Sequence, residues 1–153
     1  MNPTRYFLFV LPLLSACAES ATPPAKTTVT EYTQADSPQA FTQFLRSTLP
    51  AQRVPIVYFY ADWCGPCRRF RAALSNEQVA EALQRAALIK VNVDSCQELA
   101  AYYNVTAVPT FVKVDVQGKL LAKITSAEWH EEAPDEIAPV MAKLANTTGY
   151  DPK

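Results

Sequence analysis

Two cysteines, Cys64 and Cys67, stand three positions apart in the segment ADWCGPCR at residues 61–68. Thiols at this spacing can ligate a metal, close a structural disulfide or exchange disulfides with another protein. A structural disulfide here would close so small a loop that it restrains the unfolded chain little. A zinc site would need further ligands, and the candidates, Cys96 and His130, lie apart from each other and from the pair. Disulfide exchange is therefore the favoured chemistry, and a Cys₃His zinc site is the alternative.

The residues on either side of the pair predict the junction of a strand and a helix. Residues 54–61 (VPIVYFYA) are β-branched and aromatic on both alternating faces, which is typical of a central strand covered on both sides. Apolar residues then recur at helical spacing over residues 68–83. At the start of such a helix, free backbone N–H groups and the helix dipole lower the pKa of a thiol. Cys64 is therefore the predicted nucleophile, and Cys67, one turn later, is the predicted resolving thiol.

The other periodic segments place this strand and helix in an α/β sheet with helices on both faces. The helix after the cysteines is expected to break near residues 75–76, and a turn at residues 116–119 is expected to join two strands as a hairpin. The remaining predicted elements are helix 38–49, strand 87–93, helix 95–103, strands 109–115 and 120–124, and helix 134–144.

Length and charge narrow the class of protein. A chain of 153 residues whose first part is removable has room for one domain with a single core. Its 14 basic and 15 acidic residues nearly balance, and no run of Lys or Arg could follow a phosphate backbone. Nucleic acid is therefore not an expected partner.

The first 17 residues, MNPTRYFLFVLPLLSAC, predict an export signal. Their apolar run, residues 6–14, is far shorter than the roughly 20 residues that span a bilayer, so it is typical of a signal-peptide core. The segment LSAC at residues 14–17 resembles the lipobox of bacterial lipoproteins, in which the cysteine becomes the acylated first residue. The resemblance implies a signal peptide over residues 1–16 and lipidation of Cys17. An ordinary secretory signal with an incidental cysteine is the alternative.

The segment that follows, residues 17–36, is rich in Ala, Thr and Pro and has no apolar periodicity, so we expect a flexible tether after the lipidated cysteine. In bacterial lipoproteins an aspartate after the cysteine is associated with the inner membrane, and the residue here is Ala18. The protein is therefore expected in the bacterial cell envelope, facing the periplasm and anchored by lipid, with the outer membrane favoured.

Three segments and one glycine together resemble the thioredoxin family. WCGPC at residues 63–67 is identical to the active-site segment of thioredoxins, and VDSCQELA at residues 93–100 is similar to a strand-to-helix passage of animal thioredoxins. VPTF at residues 108–111 resembles the family's cis-proline loop, and Gly118 falls at its hairpin glycine. The resemblance implies a thioredoxin-like fold, a central mixed sheet flanked by helices on both faces. The expected domain covers residues 37–146, followed by a tail at residues 147–153.

The resemblance also implies roles for the residues around the cysteines. Pro109 would be cis and would place its loop beside the pair, so that the backbone of a substrate could pair with Val108. Trp63 would flank the thiolate and shape the approach of the substrate. Gly65 and Pro66 would form the turn between the two cysteines, where a proline early in a helix loses no hydrogen bond.

One position departs from the family. Most thioredoxins have a buried aspartate five residues before that tryptophan, thought to handle the proton of the second cysteine, and this chain has Tyr58. A phenol with a pKa near 10 is a poor base at neutral pH. Lys90 matches a lysine that neighbours the buried acid, so it is expected to have lost its usual partner. We therefore expect that deprotonation of Cys67 relies on water, or that turnover is slower than in ordinary thioredoxins.

The expected function is reduction of protein disulfides by the Cys64/Cys67 dithiol, with no cofactor beyond that pair and no metal. The expected partners are protein thiols and disulfides, a membrane protein that donates electrons, and the lipid anchor, and we expect a monomer. Two alternatives remain open: the same chemistry run as oxidation or isomerisation, and a non-catalytic binding module that uses the fold as a docking surface.

Overall fold

The computed structural model describes residues 27–131 and 133–148 of the chain. The strands are β1 (Thr28–Glu31), β2 (Val54–Tyr60), β3 (Ala86–Asn92), β4 (Thr110–Val114) and β5 (Leu120–Thr125). The α-helices are α1 (Pro38–Thr48), α2 (Gly65–Ala73), α3 (Glu77–Ala82), α4 (Gln97–Tyr102) and α5 (Pro134–Asn146), and a short 3₁₀ turn covers Ser126–Glu128. Within these residues, no helix is long and apolar enough to cross a membrane.

The five strands form one mixed sheet in the order β1-β3-β2-β4-β5. β1, β3 and β2 run parallel, and β4 and β5 continue the sheet antiparallel to their neighbours. β2 lies at the centre, and every residue from Pro55 to Tyr60 is buried, as its apolar composition predicts. The predicted α/β fold with a mixed sheet is confirmed. The carboxyl ends of the parallel strands β1, β3 and β2 lie at one edge of the sheet. The cysteine pair follows β2 and therefore lies at that edge.

Helices cover both faces of the sheet and divide the core into two layers. On one face, α2, α3 and α5 pack over side chains that include Tyr58 and Phe111. On the other face, α1 and α4 pack over side chains that include Phe59 and Val112. Each large apolar side chain buried in this way contributes about 1.5–3 kcal/mol, so both layers are needed for a stable domain. The sheet between them is the fixed support of the cysteine pair.

The predicted break in the helix after the cysteines is confirmed. α2 ends at Ala73 and α3 begins at Glu77, with the side chain of Asn76 accepting the backbone N–H of Gln78 at 2.9 Å. α2 begins at Gly65, earlier than the predicted start at residue 68, because a proline in the first turn does not interrupt a helix.

The predicted tether over residues 17–36 is wrong for its last part. Residues 28–31 form β1, which pairs in parallel with β3 from Thr28 opposite Ala87 to Glu31 opposite Lys90. The segment TVTE has β-branched residues but only four positions and polar threonines, so its sequence pattern gave no strand signal. Its place in the sheet is set by pairing with β3. The predicted signal peptide, Cys17 and the end of the predicted tail lie outside the described residues.

The segment after β1 also holds a helix end. The N-cap position of α4 is Cys96, whose side chain makes no capping hydrogen bond. Asp36, which is distant in sequence, caps the helix instead. Its carboxylate accepts hydrogen bonds from the backbone N–H groups of Glu98 at 2.8 Å and Leu99 at 2.9 Å. The residues between β1 and α1 are therefore attached to the start of α4.

Replacing Asp36 by alanine is expected to lower the free energy of unfolding by about 1–2 kcal/mol, because two N–H groups at the start of α4 lose their acceptors. Urea unfolding of the variant and of the original protein measures the difference. Asp36→Asn keeps one acceptor oxygen and is expected to lose less. Equal stability of Asp36→Ala and the original protein would contradict this capping role.

Candidate active site

The cysteine pair lies at the start of α2, directly after the loop that follows β2. Cys64 is the N-cap residue of α2, and the structure shows the oxidised protein, with a disulfide between Cys64 and Cys67 and 5.3 Å between their Cα atoms. Cys67 is fully buried, whereas 3% of Cys64 is exposed. A second protein can therefore approach Cys64 more readily than Cys67.

Polar groups around Cys64 favour a negative charge on its sulfur. The backbone N–H of Cys67 points at Cys64 Sγ over 3.1 Å, and the free N–H groups of the first turn of α2 lie nearby. A hydrogen bond to the charged form of a thiol and the positive end of a helix both lower its pKa. The local geometry suits Cys64 for nucleophilic attack once the disulfide is reduced.

The loop before β4 forms the opposite wall of the site. The Val108–Pro109 peptide bond is cis, as the resemblance implies, and the carbonyl oxygen of Val108 lies 3.5 Å from Cys64 Sγ. Thr110 anchors the loop by donating its hydroxyl hydrogen to the carbonyl of Ala107 at 2.7 Å. The backbone of Val108 is thus placed beside the sulfur that a substrate would meet.

The residues between and before the cysteines line the rim. Trp63 is 67% exposed, and its indole Nε1 donates to Asp94 Oδ2 at 3.1 Å, which fixes the ring beside the pair. Pro66 lies in the first turn of α2, as expected. A Cβ on Gly65 would lie 3.6 Å from the guanidinium of Arg69, so this position is open enough for an ordinary side chain. The structure brings all the predicted rim residues to the disulfide.

Tyr58 lies directly beneath Cys67. Its side chain is fully buried, and its hydroxyl donates to the backbone carbonyl oxygen of Cys67 at 3.0 Å. Burial raises the pKa of Tyr58 to about 12, and the positive charge of Arg71 offsets part of that rise. The phenol is therefore neutral at pH 7, and it holds the backbone of Cys67 as a hydrogen-bond donor rather than taking up protons as a base.

The usual acid is replaced by Tyr58, but Lys90 has an acidic partner in β1. Its ammonium lies 3.1 Å from Glu31 Oε2 and 4.8 Å from the ring centroid of Tyr60. The hydroxyl of Tyr60 donates a short hydrogen bond to the other oxygen of Glu31. Glu31 was missed because it sits in β1, which the sequence pattern assigned to the tether. Glu31 is identified by the parallel pairing of β1 with β3 in the folded protein, which sets it opposite Lys90.

The depressed pKa of Glu31 makes the stability of the fold depend on pH in one direction. Hydrogen bonds from Tyr60 and then Lys90 hold the pKa of Glu31 below its ordinary value. A carboxyl group with a depressed folded pKa stabilises the fold above its unfolded pKa, and that contribution is lost as pH falls through the folded pKa. Nearly half of the side chain is exposed, so water screens the interaction.

Glu31→Gln is therefore expected to lower the free energy of unfolding at pH 6 by about 0.5 kcal/mol or less, which is the scale of an exposed pair. The difference should shrink as pH falls below the ordinary pKa of a glutamate and through the depressed pKa of folded Glu31. Urea unfolding of both proteins at pH 6 and at a series of lower pH values measures it. A difference that stays constant with pH would contradict the assignment.

The zinc alternative needs Cys96 or His130 beside the pair. Cys96 is buried at the start of α4, where burial raises the pKa of its thiol. His130 lies in the loop before α5, where its backbone N–H donates to Glu136 at 2.8 Å. Over residues 27–131 and 133–148, no three His, Cys, Asp or Glu side chains come close enough to hold a metal ion.

The class of protein follows from these features: a thioredoxin-like fold with a close cysteine pair at a helix start and a cis-proline loop against it. The family described as "Thioredoxin" matches residues 32–138 of the chain, so the chain belongs to the thioredoxin family. Family membership and the cysteine pair together support dithiol redox chemistry at this site.

Two curated relatives and one solved structure give the extent of the similarity. Thioredoxin-T of Drosophila melanogaster is 41% identical over 97 residues, which cover 63% of this chain and 57% of that protein. Thioredoxin-1 of the same species is 33% identical over 89 residues, or 58% of this chain and 77% of that protein. The structure of a mutant thioredoxin from Halobacterium salinarum NRC-1 superposes with a TM-score of 0.56 at 25% identity, covering 84% of this chain and 97% of that chain. The chain spans less than two thirds of the length of several curated relatives, thioredoxin-T among them.

Proposed function

We propose that this protein is a thiol–disulfide oxidoreductase that reduces disulfides in other proteins through Cys64 and Cys67. The observation that carries the proposal is the position of the oxidised pair: Cys64 Sγ receives an N–H at the start of α2 and faces the backbone of Val108. A dithiol placed in this way can attack an extended substrate that lies along the cis-proline loop. The relatives named above, all thioredoxins, support the same reading.

The reaction proceeds in two exchanges. The thiolate of Cys64 attacks one sulfur of the target disulfide, forms a mixed disulfide and releases the other target sulfur as a thiolate, which takes up a proton. Cys67 then loses its proton to water, and its thiolate attacks Cys64 Sγ. The Cys64–Cys67 disulfide forms, the second target sulfur leaves as a thiolate, and two electrons have passed from the pair to the target.

The reduction potential of the pair tests the direction of this chemistry. The full-length protein is equilibrated against glutathione and dithiothreitol buffers, and the oxidised and reduced fractions are read after alkylation. A potential near the ~−270 mV of thioredoxin supports a reductase, whereas one near the ~−120 mV of strong oxidants reverses the direction. A variant with both cysteines replaced by serine is the control and should show no couple.

We further propose that the protein is exported, acylated at Cys17 and held as a monomer on a membrane of the bacterial cell envelope, on the periplasmic side of the outer membrane. The support is the signal-like segment and the LSAC sequence at residues 14–17. Each buried acyl methylene contributes about 0.8 kcal/mol, so two or more chains hold a protein durably at a membrane. Continued reduction there requires a membrane protein that passes electrons to the pair.

Cys17→Ser tests the anchor. The variant is expected to appear in the soluble fraction of the envelope, while the original chain stays with the membranes and carries the mass of its acyl groups. A match in fractionation and mass between the two proteins would overturn the lipid anchor without affecting the proposed chemistry.

A further inference from the structure

The guanidinium of Arg71 lies under the site and has no part in the two exchanges described above. Its Nη1 atom is buried and has no hydrogen-bond partner among the described residues. Leaving a buried donor unpaired costs free energy, and folded proteins keep few of them. A charged donor of this kind calls for a physical explanation.

Arg71 is placed close to the resolving cysteine by the geometry of α2. It follows Cys67 by four residues, so the two side chains lie on the same face of the helix. Its guanidinium carbon lies 5.2 Å from the ring centroid of Tyr60, whose ring stacks on Tyr58 at 5.6 Å. The hydroxyl of Tyr58 reaches the carbonyl of Cys67 at 3.0 Å. Arg71 thus borders the same aromatic layer that supports Cys67.

The titratable groups that face this layer come from three strands and from the loop after β2. β2 contributes Tyr58 and Tyr60, both neutral at pH 7 because burial raises the pKa of each to about 12. β3 contributes Lys90, and β1 contributes Glu31, which Lys90 contacts at 3.1 Å. Beyond β2, Asp62 is exposed and accepts a hydrogen bond from Asn92.

The net charge beside the aromatic layer of Tyr58 and Tyr60 is positive. Glu31 faces both Lys90 and Arg71, and Asp62 is screened by water, which leaves a net positive charge beside the aromatic layer. The other large side chains there, Phe70, Phe111 and Trp129, carry no charge.

We infer that Arg71 is a positioning residue for the redox reaction: its positive charge favours the thiolate form of Cys67 in the second exchange. This inference rests on the proposed function. Burial alone disfavours the thiolate of Cys67, which is fully buried in the oxidised protein. A nearby positive charge offsets this penalty, so water can take the proton of Cys67 and leave a thiolate ready to attack Cys64 Sγ.

The second exchange can be followed alone with 5,5′-dithiobis(2-nitrobenzoate). Cys64 of the reduced full-length protein attacks this disulfide, releases one thionitrobenzoate and becomes linked to the other. The thiolate of Cys67 then displaces the second thionitrobenzoate in a unimolecular step seen as absorbance. Cys17 and Cys96 are replaced by serine in every protein compared, so that only the pair reacts.

Arg71→Met removes the charge and keeps much of the apolar stem. At pH 7 the unimolecular step is expected to slow about tenfold, which corresponds to a rise of about one unit in the pKa of Cys67. The rates of the two proteins are expected to converge at high pH, where both are fully thiolate. Arg71→Lys keeps a positive charge and should retain most of the rate at pH 7. Arg85→Met removes an arginine between α3 and β3 and is the matched control, with an unchanged profile expected.

Arg71→Gln also removes the charge but keeps a polar side chain, so it is expected to slow the step at pH 7 in the same way as Arg71→Met. It keeps the inference testable if Arg71→Met does not fold, which thermal unfolding of each protein shows. A rate lowered equally at every pH, or the same profile in Arg71→Met as in the original protein, would overturn the inference. The same profile in Arg71→Gln as in the original protein would do so where Arg71→Met cannot be measured. A potential near that of strong oxidants would count against the proposed reductase alone, since this pH profile does not depend on direction.

Discussion

Replacing Cys64 by serine is expected to lower the rate of disulfide reduction by about 1,000-fold or more, because a serine hydroxyl cannot replace a thiolate as the nucleophile. Replacing Cys67 by serine is expected to stop turnover at a different point. Cys64 can still attack its target, but no second thiol displaces the product, so a mixed disulfide with the target accumulates. Reduction of insulin by dithiothreitol measures the rate, and nonreducing electrophoresis with mass spectrometry measures the trapped complex.

Cys96→Ser is the matched control for both variants. Cys96 is buried at the start of α4 and lies outside the disulfide, so its loss should leave the rate close to that of the original protein. A mixed disulfide that accumulates in Cys64→Ser instead of Cys67→Ser would exchange the roles of the two cysteines. Full activity of the Cys64→Ser, Cys67→Ser double variant in cells would favour the alternative of a non-catalytic binding module.

The cysteine pair could be predicted from sequence because its neighbours are local. The strand before it is apolar on both faces, the helix after it has a clear period, and Pro66 marks the first turn. The cis bond before Pro109 could be predicted only from the resemblance to a family, since no local pattern distinguishes it. The part of the site that depends on neighbouring residues could therefore be predicted from the sequence.

The surroundings of the pair could not be predicted in the same way because they depend on contacts distant in sequence. Glu31 meets Lys90 across 59 positions, and Asp36 caps α4 across 62. Short polar segments such as β1 carry too little apolar periodicity to be recognised as strands. Their role is set by the strand or helix that they meet in the folded protein.

The charged and polar groups beneath the disulfide show why contacts distant in sequence matter for function. From sequence, Tyr58 in place of the usual acid indicates a site that has lost a charged group. In the structure, the site instead has a neutral phenol at Cys67 and the cation of Arg71 behind it. Identifying Arg71 required the fold, because its helical spacing from Cys67 acquires meaning only when the rings of Tyr58 and Tyr60 are placed beside it.

Phe111 is the side chain whose loss is expected to affect the fold most. It is fully buried in β4, directly opposite Tyr58 in the register of β2 and β4. Its ring centroid lies 4.5 Å from that of Phe70, 5.1 Å from that of Tyr58 and 5.9 Å from that of Trp129. It therefore joins the central strands, α2 and the turn after β5 in one layer.

Phe111→Ala is expected to lower the free energy of unfolding by about 3–5 kcal/mol, because it removes buried apolar surface and leaves a cavity among rings that cannot all move inward. That loss is a large part of the roughly 5–15 kcal/mol that holds a domain folded, so the variant should melt at a much lower temperature. Phe111→Leu keeps most of the volume and should lose less, and Tyr102→Ala, at a side chain that is 59% exposed, should change stability little. Urea unfolding at constant pH compares the three variants. Similar losses in Phe111→Ala and Tyr102→Ala would mean that the aromatic layer beneath the disulfide does not stabilise the fold as its packing implies.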